Sequence, residues 1–391
     1  MTRQMRRRAA DAARIMNAAV EQSLLLPAGA LAGLIWANAA ARSYDRFAAA
    51  LRFVVNDVGM VFFFALAAKE VVEAAAPGGA LSSARRAAVP IMAALGGMAA
   101  PAAIYLAYAH GTGHPALARG WAIPCATDIA FSYLAAQFVF GSRHPAIPFL
   151  LLLAIADDAF GLVILAGFYT TGELRPGELL GLLAAAMLLA AWLRRRAVLT
   201  FWPYVAGAGT LSWLALWRGG IHPALALVPI VPFLPHAKRD PGLFAAAPAG
   251  AHDTLSQLEH WWKVPVELIL FAFGLVNAGV AIDSAGPGTT AVLAAVLIGK
   301  PVGIAGFTLL ARGVGLHLPA GLGWRDIVVT GCAAAIGFTV ALFFATAAFP
   351  PGPILAQAKT GALLSVAGAP MAVIAAAALR VGRFDRRRAR T

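Results

Sequence analysis

The stretch AIADDAFGLV, residues 154–163, places Asp157 and Asp158 side by side in a run that is otherwise apolar from Leu150 to Tyr169. A run of that length matches the roughly 20 helical residues needed to cross a hydrocarbon core about 30 Å thick. An ionised aspartate at the centre of such a helix costs about 2.5–3.5 kcal/mol on insertion scales, so an adjacent pair requires compensation. Neighbouring helical residues project about 100° apart, so both carboxylates cannot face the same partner. One can pair with a lysine while the other lines a cavity.

The pattern around this run recurs along the chain. Of 391 residues, 60% are hydrophobic and only 13% charged, more apolar surface than a soluble core could bury. About twelve candidate spans can be marked, near 18–41, 54–74, 87–109, 120–140, 146–168, 178–193, 198–217, 221–235, 264–282, 290–312, 325–348 and 359–381. They are long, continuous Ala/Leu runs, whereas a closed β-barrel reads as short alternating segments. The expected fold is therefore an all-α polytopic membrane protein. It comprises one transmembrane domain over 18–381 between basic tails at 1–17 and 382–391. The longest polar connection, from about His236 to Trp262, is too short for a soluble domain.

The net charge of +13 does not indicate a nucleic-acid partner, because the basic residues sort by loop. With alternate loops on opposite sides, one side collects the tails, Arg85, Arg86, Arg143, Arg194–Arg196, Lys238, Arg239, Lys263, Arg312 and Arg325. The other holds Arg42, Arg46, Arg52, Arg119, Arg175, Arg218 and Lys359. The positive-inside rule then makes both termini cytoplasmic, as an even number of spans requires. The basic start of the chain resembles a signal n-region, but the apolar run behind it is about 20 residues, longer than an h-region of 7 to 15, so it reads as a retained first span. Cys125 and Cys332 fit no ligand spacing and read as small packing residues.

Asp57, Lys69, Glu70, Glu73, Asp128, Glu267 and Lys300 also fall within spans. Lys69, Glu70 and Glu73 lie near a span end, where snorkelling to water is a sufficient explanation. Asp128, Asp157, Asp158 and Lys300 lie nearer the middle, where it is not; a purely structural ion pair is the bland reading there. Pro124 removes a backbone donor just before Thr127 and Asp128, and predicts a helix break. In the run 325–348, Gly331 and the triplet Gly337–Phe338–Thr339 supply a second weak point. These runs are the middle members of two three-span units, about 87–168 and 290–381. Interrupted helices in corresponding places of inverted repeats mark a midplane site, an architecture of which the NhaA-type antiporters are themselves a known instance.

The chain resembles the NhaA-type sodium/proton antiporter family along most of its length. The resemblance rests on LGGMAAPAAIYLA (95–107), GWAIPCATDIAFS (120–132), LAIADDAFGLVILAGFYT (153–170), GIHPAL (220–225), IGKPVGI (298–304) and IGFTVALFFATAAF (336–349), in the family's order. It implies twelve helices, with two unwound where they cross near the midplane. It also implies exchange of cytoplasmic Na+ or Li+ for external H+ by alternating access in the bacterial inner membrane. Asp158 is implied as an ion ligand, and Asp157 as an ion ligand or as the salt-bridge partner of Lys300. Thr127 and freed carbonyls complete an oxygen shell suited to a hard cation. Asp128 is implied to offset the positive half-helix ends, and Lys300 the negative ones. Glu70, Glu73 and His222 match positions linked to pH response. No cofactor is implied beyond the transported ions.

The chain departs from the family in places. AKEVVEAA (68–75) replaces a motif that carries a basic pair. The first loop, ARSYDRFAAALRF (41–53), leaves little room for the β-hairpin through which family members form a homodimer. Glu267 adds an acid in the ninth run, with no role assigned. Two membrane aspartates also serve intramembrane proteases, but those use facing helices and a G-x-G-D motif, which is absent from the sequence. The eight His are scattered with no H-E-x-x-H, and no P-loop occurs. A passive cation channel is the alternative from another class, since acids in a pore select cations. A related carrier for another cation is the alternative from the same class.

Overall fold

The computed structural model describes residues 24–235 and 253–385. The basic tail at 1–17, most of the connection after 235, and the end of the chain from 386 lie outside the described residues. The described chain is helical throughout, with no β-strand and one isolated bridge between Thr170 and Ile221. In order, the helices are α1 (Leu25–Ala39), α2 (Ala41–Phe53), α3 (Met60–Ala75), α4 (Ala84–Gly111), α5 (Ile129–Phe140), α6 (Ala146–Phe168), α7 (Pro176–Arg195) and α8 (Thr210–Gly219). They continue as α9 (Thr254–Asn277), α10 (Pro287–Ala294), α11 (Lys300–Gly313), α12 (Trp324–Ala334), α13 (Phe338–Ala348), α14 (Pro353–Leu364) and α15 (Gly368–Leu379).

Among the described residues, six continuous helical stretches are long and apolar enough to cross a membrane, and two bent pairs raise that to eight. The bent pairs are the ones expected from Pro124 and Gly337. Pro115–Cys125 meets α5 at 56°, and α12 meets α13 at 51°. Gly331 has a different role: it lies inside α12, where an added Cβ would come within 2.8 Å of the Pro301 Cα, so its small size serves packing.

Four of the twelve expected runs are neither a continuous apolar span nor a bent pair in the described structure. The first is the 15-residue α1, and 198–217 is a wide π-turn, Tyr204–Gly209, leading into α8. The run 264–282 is the C-terminal part of α9, which also carries Glu259, Lys263 and Glu267. The run 221–235 contains only two short 3-10 turns, Pro223–Leu225 and Val231–Phe233. Its hydropathy suits a span, but Pro223, Pro229, Pro232 and Pro235 delete backbone donors too often for an α-helix to propagate.

Residues 41–53, expected as a loop, are helical instead. α2 runs through the π-turn Val54–Gly59 into α3, making a rod of 35 residues. Ala, Arg, Leu and Phe favour or tolerate the helix, no Gly or Pro interrupts residues 41–53, and Tyr44 and Ala48 supply the buried face.

Small residues set the close helix contacts, as expected where lipid offers no hydrophobic drive to associate. Gly29 and Gly33, four apart on α1, lie against the Phe271 and Leu275 carbonyls of α9, and Gly303 of α11 lies against Gly96 of α4. A side chain at Gly33 would press on rigid backbone rather than on a movable neighbour. Gly33→Leu is therefore expected to cost about 1–3 kcal/mol and lower the melting temperature of the purified protein, whereas the exposed neighbour change Leu31→Ala should not. Equal melting of the two variants would show that the α1–α9 seam is loose.

Candidate ion site at the helix crossing

The two interruptions meet. The peptide N–H of Asp128 donates to the Ile336 carbonyl at 2.6 Å, and Gly337 passes so close to the Ala126 carbonyl that a Cβ would lie 3.1 Å from its oxygen. The first half-helix is held by Tyr169, whose hydroxyl accepts from Ala122 N at 3.2 Å and donates to Arg119 O at 3.0 Å. The second is held by Ser365, whose hydroxyl accepts from Gly337 N at 3.1 Å.

Asp128 is the N-cap of α5, and its Oδ1 accepts from Phe131 N at 3.3 Å. Its Oδ2 accepts from Thr339 N at 3.1 Å and from the Thr339 hydroxyl. Thr339 lies in the first turn of α13, so one carboxylate satisfies orphan donors of two half-helices and sits where both dipoles favour negative charge.

Lys300 opens α11 after the π-turn Ala295–Gly299. Pro301 cannot donate to Leu297, and the widened turn before it accommodates that missing ladder bond. The Lys300 side chain is fully buried, and its ammonium donates to Asp157 Oδ2 at 2.9 Å and to the Thr127 hydroxyl. Thr127 in turn donates to the same Asp157 oxygen at 2.6 Å. Asp157 Oδ1 is buried with no hydrogen-bond partner.

Asp158, offset by about 100° from Asp157 on the same helix, forms no hydrogen bond to Lys300. It is half-buried and lines a cavity of about 20 Å3, room for about one water molecule, with Asp157, Cys125, Ala126, Phe63 and Phe64. The crossing thus gathers Thr127, Asp128, Asp157, Asp158 and Lys300. One Asp157 oxygen pairs with Lys300 while the other has no hydrogen-bond partner.

The remaining expected residues are dispersed. Glu73 pairs with Lys69 at 2.6 Å, and Lys69 also reaches Glu259 of α9 at 2.6 Å. Lys69 does not snorkel: it is 8% exposed and joins α3 to α9. Glu70 is exposed on the same turn. His222 lies elsewhere, its Nδ1 accepting from Ala224 N and standing 3.9 Å from Asp57 Oδ1, with its ring 4.8 Å from that of Phe343 in α13. Two partners escape a reading of the sequence. Thr339 is visible there only as part of a flexible triplet, and Glu259 lies within a stretch that reads as polar connection.

An all-helical chain in which two interrupted helices cross over a buried carboxylate–lysine centre has the build of a polytopic membrane carrier. It belongs to the Na+/H+ antiporter 1 family, whose sequence profile matches residues 13–379. Among its relatives, the Na(+)/H(+) antiporter NhaA of Jannaschia sp. is 48% identical, with 92% of this chain and 97% of that one covered. The NhaA of Geotalea uraniireducens is 45% identical over 94% and 97%. The solved structure of the sodium proton antiporter MjNhaP1 from Methanocaldococcus jannaschii shares the fold, with a TM-score of 0.53 at 14% identity over 92% of each chain.

Proposed function

We propose that this chain exchanges cytoplasmic Na+ or Li+ for external H+ by alternating access, in the bacterial inner membrane with both termini cytoplasmic, and so serves sodium and pH homeostasis. The observation that supports this most is the pairing of an uncommitted Asp157 oxygen with the cavity-facing Asp158 at the helix crossing. A small hard cation placed there meets carboxylate oxygens, with the Thr127 hydroxyl adjacent. The same carboxylates take protons, so loading one ion displaces the other, and a carrier that turns over only when loaded makes the displacement an exchange. Asp128 and Lys300 have a positioning role, keeping the half-helix ends and Asp157 in place.

Glu70, Glu73 and His222 are assigned the pH response. Glu70 lies on the same turn of α3 as the Lys69–Glu73 pair, and His222 touches the ring of Phe343, five residues beyond the helix break. If two copies pair, they do so without a β-hairpin at residues 41–53, which are helical.

Everted vesicles provide the test. Adding sodium or lithium to vesicles that have been acidified by respiration is expected to release protons, and potassium is expected to release few. Sodium entry without proton movement would instead identify a passive channel. In the same assay, Glu70→Gln and His222→Ala are expected to displace the pH midpoint of exchange, and an unmoved midpoint in both would remove them from the pH response.

A further inference from the structure

Pro115–Cys125, the half-helix that leads to Thr127, is opened in its last third. A 3-10 turn over Pro115–Gly120 gives way to a second over Ile123–Cys125, with Trp121 and Ala122 between them. In a continued 3-10 ladder the Ala122 N–H would donate to the carbonyl three residues back, that of Arg119. Instead it donates to the Tyr169 hydroxyl at 3.2 Å, and that hydroxyl donates to Arg119 O at 3.0 Å. One phenol therefore stands inside the ladder and takes both ends of the bond it replaces, an insertion that bends a helix where it occurs.

Tyr169 can hold the opening because it is itself fixed. It is the C-cap of α6, is 1% exposed, and packs its ring edge-on at 5.4 Å against Phe344, part of the wall of the Asp158 cavity. Beside it, the Phe168 ring meets Trp121 edge-on at 5.4 Å, and just beyond it Thr171 N donates to Gly220 O at 2.9 Å. The same helix carries Asp157, about 18 Å away along its axis. Asp157 Oδ2 accepts from the Thr127 hydroxyl at 2.6 Å. A single helix thus grips residues 119–127 at two points, and the second grip is part of the ion site.

On the reading of the crossing as the cation site, we propose that Tyr169 is a positioning residue for sodium. Its hydroxyl, wedged between Arg119 and Ala122, sets the register at which Thr127 meets Asp157, and through Thr127 the affinity of the crossing for the cation. Without the hydroxyl, the Ala122 N–H and the Arg119 carbonyl close on each other, the two 3-10 turns merge, and residues 123–127 are drawn out of that register. No backbone group is orphaned by the closure, so the fold survives while the site loosens.

Tyr169→Phe tests this, since it keeps the ring against Phe344 and removes only the oxygen. In everted vesicles the sodium concentration giving half-maximal proton release is expected to rise about three- to tenfold, the factor that one net hydrogen bond carries, while the maximal rate holds. A purely structural loss would lower the number of working molecules, and so the maximal rate, without moving the half-maximal concentration. Because Tyr169 acts through Thr127, the double variant with Thr127→Ala should need no more sodium than Thr127→Ala alone. Phe168→Leu, at a ring that is 66% exposed and so dispensable for folding, slackens the same grip and should shift the half-maximal concentration upward by less. If Tyr169→Phe does not fold, Phe168→Leu decides, and a wild-type sodium requirement in it would overturn the positioning role. A wild-type requirement in folded Tyr169→Phe would do the same, as would losses that add in the double variant. Wild-type protein that releases no protons on sodium addition would instead overturn the reading of the crossing as the cation site.

Discussion

Asp158→Asn is expected to give a folded, inserted protein in which added sodium releases no protons. Asn is nearly isosteric with Asp, and Asp158 is half-buried against a cavity rather than locked in a hydrogen-bond network, so the substitution should leave packing intact. What it removes is the ability to take up a proton and the full negative charge that offsets a cation's lost hydration. Calorimetry of sodium binding in buffers of different ionisation enthalpy would count the released protons directly. In wild type, apparent sodium affinity should weaken as pH falls, because protons and sodium claim the same oxygens. The amide variant should show neither proton release nor sodium binding. Proton release that persists in it would move the exchange to another group. Sodium affinity independent of pH in the wild type would separate the two ions into coupled but distinct sites.

The parts of this site that are legible in the sequence are those with a local physical cause. Two acids in an apolar run break a rule for membrane helices where they stand, and a proline before Thr127 and Asp128 and a glycine in the matching run mark weak points of the backbone. Pairings across the chain leave no such mark. The Asp128–Thr339 contact joins residues 211 apart, and nothing near Thr339 signals a capping partner in the other repeat. The division of labour between Asp157 and Asp158 is foreseeable as a 100° offset, but which one turns toward Lys300 depends on how α6 is rotated against α11. Residues 221–235 mislead for a related reason: hydropathy reports only that a segment can lie in lipid or in a protein interior, and four prolines decide the backbone. Lys69 reads as a snorkelling lysine because its partner Glu259 is 190 residues away on another helix.

Lys300→Ala is expected to lower stability by about 3–5 kcal/mol, the range for removing one partner of a buried pair. Lys300 and Asp157 are both almost completely buried at 2.9 Å, and the Thr127 hydroxyl is the other group bonded to the Asp157 oxygen that Lys300 holds. Taking away the ammonium strands a carboxylate whose second oxygen already lacks a hydrogen-bond partner. It also leaves a cavity the length of a lysine side chain beside the π-turn that precedes α11. The penalty should therefore come from Asp157 as much as from Lys300, and a double-mutant cycle can tell them apart. Lys300→Met fills most of the cavity, and combining it with Asp157→Asn removes both charges, so the double variant should recover much of the stability lost by Lys300→Ala. It should still fail to exchange ions with wild-type pH dependence, since a neutral amide in place of the Asp157 carboxylate leaves the site one negative charge short. Melting in detergent measures the first effect and vesicle proton flux the second. If Lys300→Ala melts with wild type, the ion pair contributes nothing to the fold. If the double variant is as unstable as the single one, the loss lies in side-chain volume rather than in the unpaired charge.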